Sequence, residues 1–426
     1  MMKPLCCLAA MLLALAVATP AFTDDKKPDG RPKDDGGFVP LFDGRSLAGW
    51  VNVNCDKSTF FVKDNEIITT GKPTGYLRTQ EQYENFIAEF DWMHVPPKRG
   101  AVGNSGFFVW ADPIPAVGTG YTRGIEVQVL VNLTYKNNKG AITATSQGDL
   151  FSIWGATCVP DRPHPDGWAR CLPSENHCKG EKEWNHYRVV AQDGVIKLAV
   201  NGKVVSGVSR CSPRKGYLAL ESEGSECHFR NLKIKALPST NPKKDEIADK
   251  AKGHKPLYTG LDLSGWKVDA KAKKHWEPQD TVLHYDGKGA AKDNGLRTRK
   301  EYGDAEYIAD FRFPKDAKQC VLILRQDKDG MVALAIKRDG SFVVSTVHPP
   351  QGGKAGKSFP GNLDGVKAAG QWNRLRAVLK GTTFKISVNG GRAKTLEELE
   401  IPSKGAFGLM SNGDMDFTNL FVRELK

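Results

Sequence analysis

Ten residues near the start of the chain, Leu41-Phe42-Asp43-Gly44-Arg45-Ser46-Leu47-Ala48-Gly49-Trp50, return in altered form as Leu257-Tyr258-Thr259-Gly260-Leu261-Asp262-Leu263-Ser264-Gly265-Trp266. Trp184-Asn185 recurs as Trp372-Asn373, Val200-Asn201-Gly202 as Val388-Asn389-Gly390, and Phe229-Arg230-Asn231-Leu232 as Phe417-Thr418-Asn419-Leu420. Landmarks repeated in one order mean a duplication, and their spacing is far beyond the roughly 20–50-residue period of a solenoid. The chain therefore holds two whole domains of one fold. Its 426 residues give each copy enough chain to bury a core.

Between the landmarks lie short runs with alternating apolar residues, among them Glu66 to Thr69, Phe86 to Met93, Ile125 to Leu130 and Val195 to Val200. Asp64-Asn65, Asp193-Gly194 and Asn201-Gly202 are turn signals between such runs. No segment carries a long stripe of helical period. The pattern predicts an all-β chain of two tandem β-sandwiches. The first sandwich is expected over 38–237 and the second over 256–426, with a charged, Pro-opened linker over 238–255 that has room for a short helix. Trp184 and Trp372, each starting a strand, are expected to plug the core at the sandwich edge.

The first 21 residues read as a secretory signal peptide: Lys3, an apolar run from Leu5 to Val17, then small residues ahead of a cleavage point. Residues 22–37 are Asp, Lys, Pro and Gly with few apolar side chains, a disordered lead-in. A secreted or periplasmic protein follows from this, with no membrane span. Six of the cysteines, Cys55, Cys158, Cys171, Cys178, Cys211 and Cys227, fall in the first domain and predict disulfides. Zinc held by Cys158, Cys171 and Cys178 with His164 or His177 is the rival, though those spacings match no standard site. Cys320 stands alone. The formal charge of +12 comes from scattered Lys and Arg, without the basic block or motif of a nucleic-acid binder.

The candidate site lies in Gly103-Asn104-Ser105-Gly106-Phe107-Phe108-Val109-Trp110 and Gly124-Ile125-Glu126-Val127-Gln128-Val129-Leu130. Glu126 and Gln128 share one face of an otherwise apolar strand, where a carboxylate and an amide are costly unless paired or wet. Asn104, Phe108 and Trp110 are expected on one face of the neighbouring strand, giving polar anchors beside aromatic surface, the composition of a sugar pocket. Extra sequence in the first copy, much of it between Val131 and Glu183, is Pro-rich and bears Cys158, Cys171 and Cys178, as a pocket wall needs. The second copy has Cys320 to Arg325 and Met331 to Lys337 in the corresponding places, with neither the Asn-Ser nor the Glu-x-Gln pair. It is expected to lack the site.

The Leu-Phe-Asp-Gly opening, Gly103-Asn104-Ser105-Gly106, Glu126-Val127-Gln128, Trp184-Asn185 and Phe229-Arg230-Asn231-Leu232-Lys233-Ile234 together resemble the 3-keto-disaccharide hydrolase family. The resemblance implies a concanavalin-like jelly roll in two tandem copies, an exported protein, and action on glycosides oxidised at sugar carbon 3. Glu126, Gln128, Asn104 and Ser105 match the family's polar positions; the cysteine-bearing insert and Glu221-Ser222-Glu223 depart from it. A ketone at carbon 3 acidifies the carbon-2 proton, so a base can remove it and the glycosidic oxygen can leave from carbon 1. Water then adds back.

On that chemistry Glu126 is the expected base, with Gln128 and Asn104 holding hydroxyls or the ketone. Ser105, Phe108, Trp110, Glu89, Asp91, Glu221 and His164 complete the candidate substrate-binding set. A divalent metal is an optional Lewis acid, with Glu126, Glu89, Asp91, Glu221, His94, His164 and His228 as available ligands. Glu89 and Asp91 also fit a solvated strand face, and His94 a loop. The competing class is a carbohydrate-binding or structural surface protein without turnover, for which tandem copies would give avidity.

Overall fold

The Phe86–Val95 strand alternates between buried and half-buried positions along its whole length, as a sheet with one face on a core and one toward solvent must. The Gly124–Val131 strand differs: every residue is buried, so both of its faces are covered. The second covering creates the site described below. The computed structural model describes residues 36–133, 147–289, 295–314, 317, 319–347 and 356–426. The expected signal peptide and nearly all of the lead-in lie outside the described residues.

The first sandwich packs two antiparallel sheets face to face. One runs in the order Thr157–Pro160, Lys203–Ser212, Val195–Val200, Asn185–Gln192, Phe86–Val95, Glu226–Ala236, Glu66–Thr69 and Phe60–Lys63. The other, here the site sheet, runs Arg170–Cys171, Leu150–Ile153, Gly124–Val131, Gly103–Ala111, Tyr217–Ser222, Gly75–Thr79 and Trp50–Val53. Phe90 sits at the middle of the core, its ring 4.7 Å from that of Phe107, 5.7 Å from Tyr187 and 6.3 Å from Phe229. Each such buried aromatic contributes roughly 2–3 kcal/mol of apolar burial.

The second sandwich repeats the plan. Its counterpart of the site sheet runs Trp266–Lys267, Leu296–Tyr302, Gly405–Asn412, Gln319–Gln326, Met331–Lys337, Ser341–Val347 and Ser358–Asn362. The all-β expectation of two tandem jelly-roll sandwiches is met.

The repeated landmarks are turn locks. Asn201, in the left-handed region at φ 48°, accepts from the His186 amide at 2.8 Å and donates to Asn185 Oδ1 at 3.1 Å. Asn389, at φ 50°, does the same with the Arg374 amide at 2.8 Å and Asn373 Oδ1 at 2.9 Å. Trp-Asn and Val-Asn-Gly thus form a single unit in each copy, with an Asn where left-handed backbone is needed. Asn231 and Asn419, at φ 56° and 49°, are the bulge residues of the last strand in each copy.

Several expectations are corrected. The disulfides are not there: Cys55, Cys158, Cys171, Cys178, Cys211, Cys227 and Cys320 are all free. Cys55, Cys171, Cys211 and Cys227 are small buried hydrophobes of the first core, so the insert is not stapled by sulfur. Polar contacts hold it instead: Arg162 donates to Leu172 O at 2.8 Å and to Val205 O, and the His164 ring stacks 4.4 Å from Trp168. With the disulfides goes the cysteine argument for an oxidising compartment.

Trp184 is not a core plug. It is half-buried on the outside, beneath the Arg230 guanidinium at 3.8 Å, as Trp372 lies beneath Arg312 at 4.6 Å. The linker does carry a short 3-10 helix, Lys244–Glu246, but it is strapped to the first sandwich. Ala248 is buried, its amide donating to Lys215 O at 2.8 Å, and the Ala251 amide donates to Tyr217 Oη at 2.9 Å.

Candidate active site

Register places the site side chains. Glu126 pairs with Phe108 and Gln128 with Gly106, while Ala219 pairs with Phe108 on the other side. Two-residue alternation then puts Asn104, Gly106, Phe108, Glu126, Gln128, Ala219 and Glu221 on the outer face of the site sheet. Gly106 is a gap between carboxylates. A methyl group added there would stand 2.7 Å from Glu126 Oε1 and 2.9 Å from Glu221 Oε2, so the two side chains lean over it from either side. Glycine is required at this position by close approach, since any Cβ would displace the acids.

A third acid completes the group. Glu223 accepts from Asn104 Nδ2 at 2.6 Å and from Tyr121 Oη at 2.7 Å. Gln128 Nε2 donates to Asn104 Oδ1 at 2.8 Å and to Ser105 O at 3.0 Å, while its Oε1 accepts from Arg170 at 3.1 Å. Arg170 is anchored by the fully buried Asp149 at 2.7 Å and lies 3.8 Å over the Phe151 ring. At the rim, the half-exposed Trp154 stacks on Tyr121, with ring centroids 6.2 Å apart and planes 9° apart. Trp154 sits at φ 52°, a strained position for an aromatic residue.

The electrostatics follow from crowding three buried carboxyls. Burial, and then the Glu223 charge, push Glu126 well above the usual carboxylate range; Arg170 pulls the other way. Burial, followed by the Glu223 and Glu126 charges, does the same to Glu221, with no cation among the opposing causes. Among the described residues, neither Glu221 oxygen receives a hydrogen bond from an amide, hydroxyl or cationic donor. A shared proton to Glu223 is the bond open to it, and that requires a protonated carboxyl. Burial also raises Glu223, against the Tyr121 bond, and lifts Tyr121 far above an ordinary phenol. Both carboxyls are thus pushed toward the acid form, and Arg170 opposes that push at Glu126 alone.

Of the residues singled out in the sequence, Glu126, Gln128, Asn104 and Glu221 converge. Ser105 points the other way and donates to Glu221 O at 2.8 Å. Phe108 and Trp110 are split by a bulge: Val109 and Trp110 together face Leu218, between the pairs Phe108–Ala219 and Ala111–Tyr217, with Trp110 at φ 57°. Trp110 consequently turns into the core, donating to Glu84 O at 2.8 Å, and Phe108 lies under the second sandwich. Glu89 and Asp91 stand on the opposite sheet, Glu89 paired with Arg188 and with Lys233 at 3.2 Å, Asp91 with His186 at 2.8 Å and Asn231 at 2.7 Å. His164 stays in the insert against Trp168.

His94 is no loop residue; it is buried in the Phe86–Val95 strand, contacts Val129 O at 3.0 Å, and burial drops its pKa to about 4. His228 is bracketed by Glu66 at 2.7 Å and Glu226 at 2.8 Å. Among the described residues no group of three or more His, Cys, Asp or Glu that could hold a metal ion is found.

Sequence reading passed over Glu223, Tyr121, Arg170 and Asp149. Glu221-Ser222-Glu223 carried the alternation that could have exposed Glu223. Tyr121 had no signal, because it sits in the loop between Gly103–Ala111 and Gly124–Val131.

The second sandwich grips that loop. Gly118 N donates to Asp310 at 2.9 Å, Arg374 donates to Pro115 O at 2.8 Å, and Asn419 Nδ2 donates to Ala116 O at 3.1 Å and Thr119 O at 3.0 Å. Beside it Ile308 and Phe421 bury Val53, Tyr76, Phe108, Tyr217 and Ala219. This packing covers the outer face of the site sheet at the Gly75–Thr79, Gly103–Ala111 and Tyr217–Ser222 strands.

Buried carboxyls, amides and an aromatic rim on a jelly-roll face define a carbohydrate-acting protein. The chain belongs to the family of the 3-keto-alpha-glucoside-1,2-lyase-like domain, whose model matches it twice, at residues 37–235 and 253–423. That membership makes it, broadly, a glycoside-acting enzyme. No curated sequence matches it.

Among solved structures it is similar to a candidate glycosyl hydrolase from Parabacteroides distasonis, 21% identical over 48% of this chain and 95% of that one, TM-score 0.36. It is also similar to a carbohydrate-binding module from Bacillus subtilis, 15% identical over 38% of this chain and 96% of that one, TM-score 0.31. A β-glucanase from Bacillus licheniformis is 12% identical over 41% of this chain and 97% of that one, TM-score 0.31. Among the described residues no helix is long and apolar enough to cross a membrane.

Proposed function

We propose that the first sandwich cleaves glycosides bearing a ketone at sugar carbon 3, by elimination across carbons 1 and 2 followed by hydration. Glu126 takes the carbon-2 proton as the electron pair moves toward the ketone oxygen. Glu221, held as the acid, gives its proton to the glycosidic oxygen as the carbon-1 bond breaks. Water then adds across the enone in the reverse proton sense, which restores both groups. Gln128 and Asn104 hold sugar hydroxyls, and Trp154 offers an aromatic face for a ring at the rim.

One observation carries this reading: two buried carboxyls lean over Gly106, and only Glu126 has a cation among the influences on its charge. The second copy has Ala333, Ala335 and Met410 at the register positions of Glu126, Gln128 and Glu221, which supports a single site per chain. On the N-terminal pattern we place the protein outside the cytoplasm.

The test uses a 3-keto-glucoside with a chromogenic leaving group, made with hydrogen or deuterium at carbon 2. Glu126→Gln should lower kcat by about 10²–10⁴-fold and leave substrate binding within a few-fold. Carbon-2 deuterium should slow the wild type. Equal rates on the unoxidised glucoside, with no isotope effect, would remove the proposal.

A further inference from the structure

A cleft of about 760 Å³ opens between the two sandwiches, away from the acidic site. It lies on the same outer face of the site sheet, where Arg78 pairs with Ala219, and the apolar contact of Tyr76, Phe108, Ala219, Ile308 and Phe421 separates the two. Its charge is lopsided. The first sandwich contributes Arg78, the strap Lys250 and Lys252, and the second sandwich Arg374, Arg376, Lys385 and Arg423; the acids are Asp249 and Glu306.

Pairing removes only part of this excess. Arg374 is matched by Asp310 at 2.7 Å, and Arg376 and Arg423 share the single carboxylate of Glu306. Among the described residues Arg78, Lys250, Lys252 and Lys385 have no carboxylate in an ion pair, and Arg78 is only 7% exposed. A buried cation without a counter-ion is expensive to keep. Arg78 is also held rigid: Nε donates to Pro113 O at 3.1 Å, Nη1 to Thr79 O at 2.8 Å, and the guanidinium lies 4.5 Å over the Tyr217 ring. Among the described residues Nη2 has no acceptor, and Arg78 lines the cleft.

The duplication supplies an independent instance. Leu77-Arg78-Thr79 recurs as Leu296-Arg297-Thr298, and Arg297 lines a second, shallower cleft of about 730 Å³ with Lys267, Arg299 and Lys328. Asp269, Glu301 and Asp327 line it as well, yet Arg297 pairs with none of them; it donates to Gln326 Oε1, to Leu296 O at 2.9 Å and toward Met410 Sδ at 3.5 Å. Both copies therefore present a fixed guanidinium, free of carboxylates, to a cleft wide enough for sugar rings.

We propose that the cleft between the sandwiches binds an acidic glycan, with an oxyanion on the sugar (a carboxylate or a sulfate ester) seated on Arg78 and flanked by Lys250 and Lys385. A planar guanidinium pairs with either oxyanion through parallel hydrogen bonds, and cations on an exposed rim draw a polyanion in. The second cleft, built on Arg297, gives a long acidic chain another point of attachment. This inference stands apart from the catalytic proposal and survives its failure.

The test titrates the full chain by calorimetry with a uronate-bearing oligosaccharide, a sulfated one and a neutral one of equal length. Either acidic ligand should bind at least ten-fold tighter than the neutral one, and the better of the two identifies the oxyanion. Lys250→Glu with Lys385→Glu, both exposed and safe for folding, should weaken that ligand ten-fold or more, and Arg78→Gln further still. Lys57→Glu with Lys63→Glu, which line neither cleft, should change binding less than two-fold. Equal weakening by both lysine pairs, or no preference for acidic ligands, would overturn the proposal.

Discussion

Replacing Asn419 by glycine tests whether the second sandwich holds the site of the first. Asn419 is fully buried; its amide nitrogen reaches Ala116 O, Thr119 O and Asp310, and its oxygen accepts from Asn54 at 2.7 Å. Glycine keeps the left-handed backbone of φ 49° without strain, so the loss is that of the side chain's hydrogen bonds and packing, with a backbone-entropy cost that the control below shares. It strands the Asn54 amide and the Thr119 carbonyl, at about 1–3 kcal/mol each, or roughly 2–6 kcal/mol together.

Asn231, its equivalent in the first copy, is the control. It has the same backbone, is exposed, and makes one bond to Asp91 at 2.7 Å; losing that costs about 0.5–1.5 kcal/mol. Urea unfolding followed by tryptophan fluorescence should rank Asn419→Gly below Asn231→Gly by at least about 1 kcal/mol. On the 3-keto-glucoside, Asn419→Gly should also lose roughly 10–100-fold in kcat, because a loosened loop no longer aims Tyr121 at Glu223. Equal unfolding midpoints for the two variants would refute the reasoning.

Two further outcomes follow from the acidic cluster. Glu221→Gln should abolish turnover yet stabilise the fold at pH 7–8 by about 1–3 kcal/mol, read as a higher Tm. The sign comes from linkage: the Glu221 pKa is raised on folding, so its contribution is full below the unfolded value near 4.5 and is lost as pH rises through the folded one. The gap between variant and wild type should close near pH 4. Trp154→Ala, at the rim, should raise KM about ten-fold while kcat moves less than three-fold, and steady-state kinetics will separate the two effects.

What the sequence made legible was whatever local chemistry dictates. Strand positions came from two-residue alternation, and Asn201, Asn231 and their twins stood out because left-handed backbone needs an Asn or Gly wherever the fold recurs. Glu126 and Gln128 were visible as polar residues where an apolar strand should have none. Phe108 and Trp110 misled because a bulge breaks the very alternation used to read them. The cysteines misled because a small buried thiol and a future disulfide look alike in sequence.

Tyr121, Arg170 and Asp149 were illegible for a deeper reason: each belongs to a loop or short strand whose place is fixed by something distant. Tyr121 is aimed by Asp310, Arg374 and Asn419, some two to three hundred positions along the chain. This alters the meaning of the second sandwich. Read alone, Ala333, Ala335 and Met410 mark a copy whose face is empty. In the fold, the same copy packs on the outer face of the Gly103–Ala111 and Tyr217–Ser222 strands, buries Phe108, and holds the loop that reaches Glu223. Its packing on Phe108 and on the Tyr121 loop adds to the burial that raises Glu126 and Glu221, so a domain without the acids helps keep them protonated.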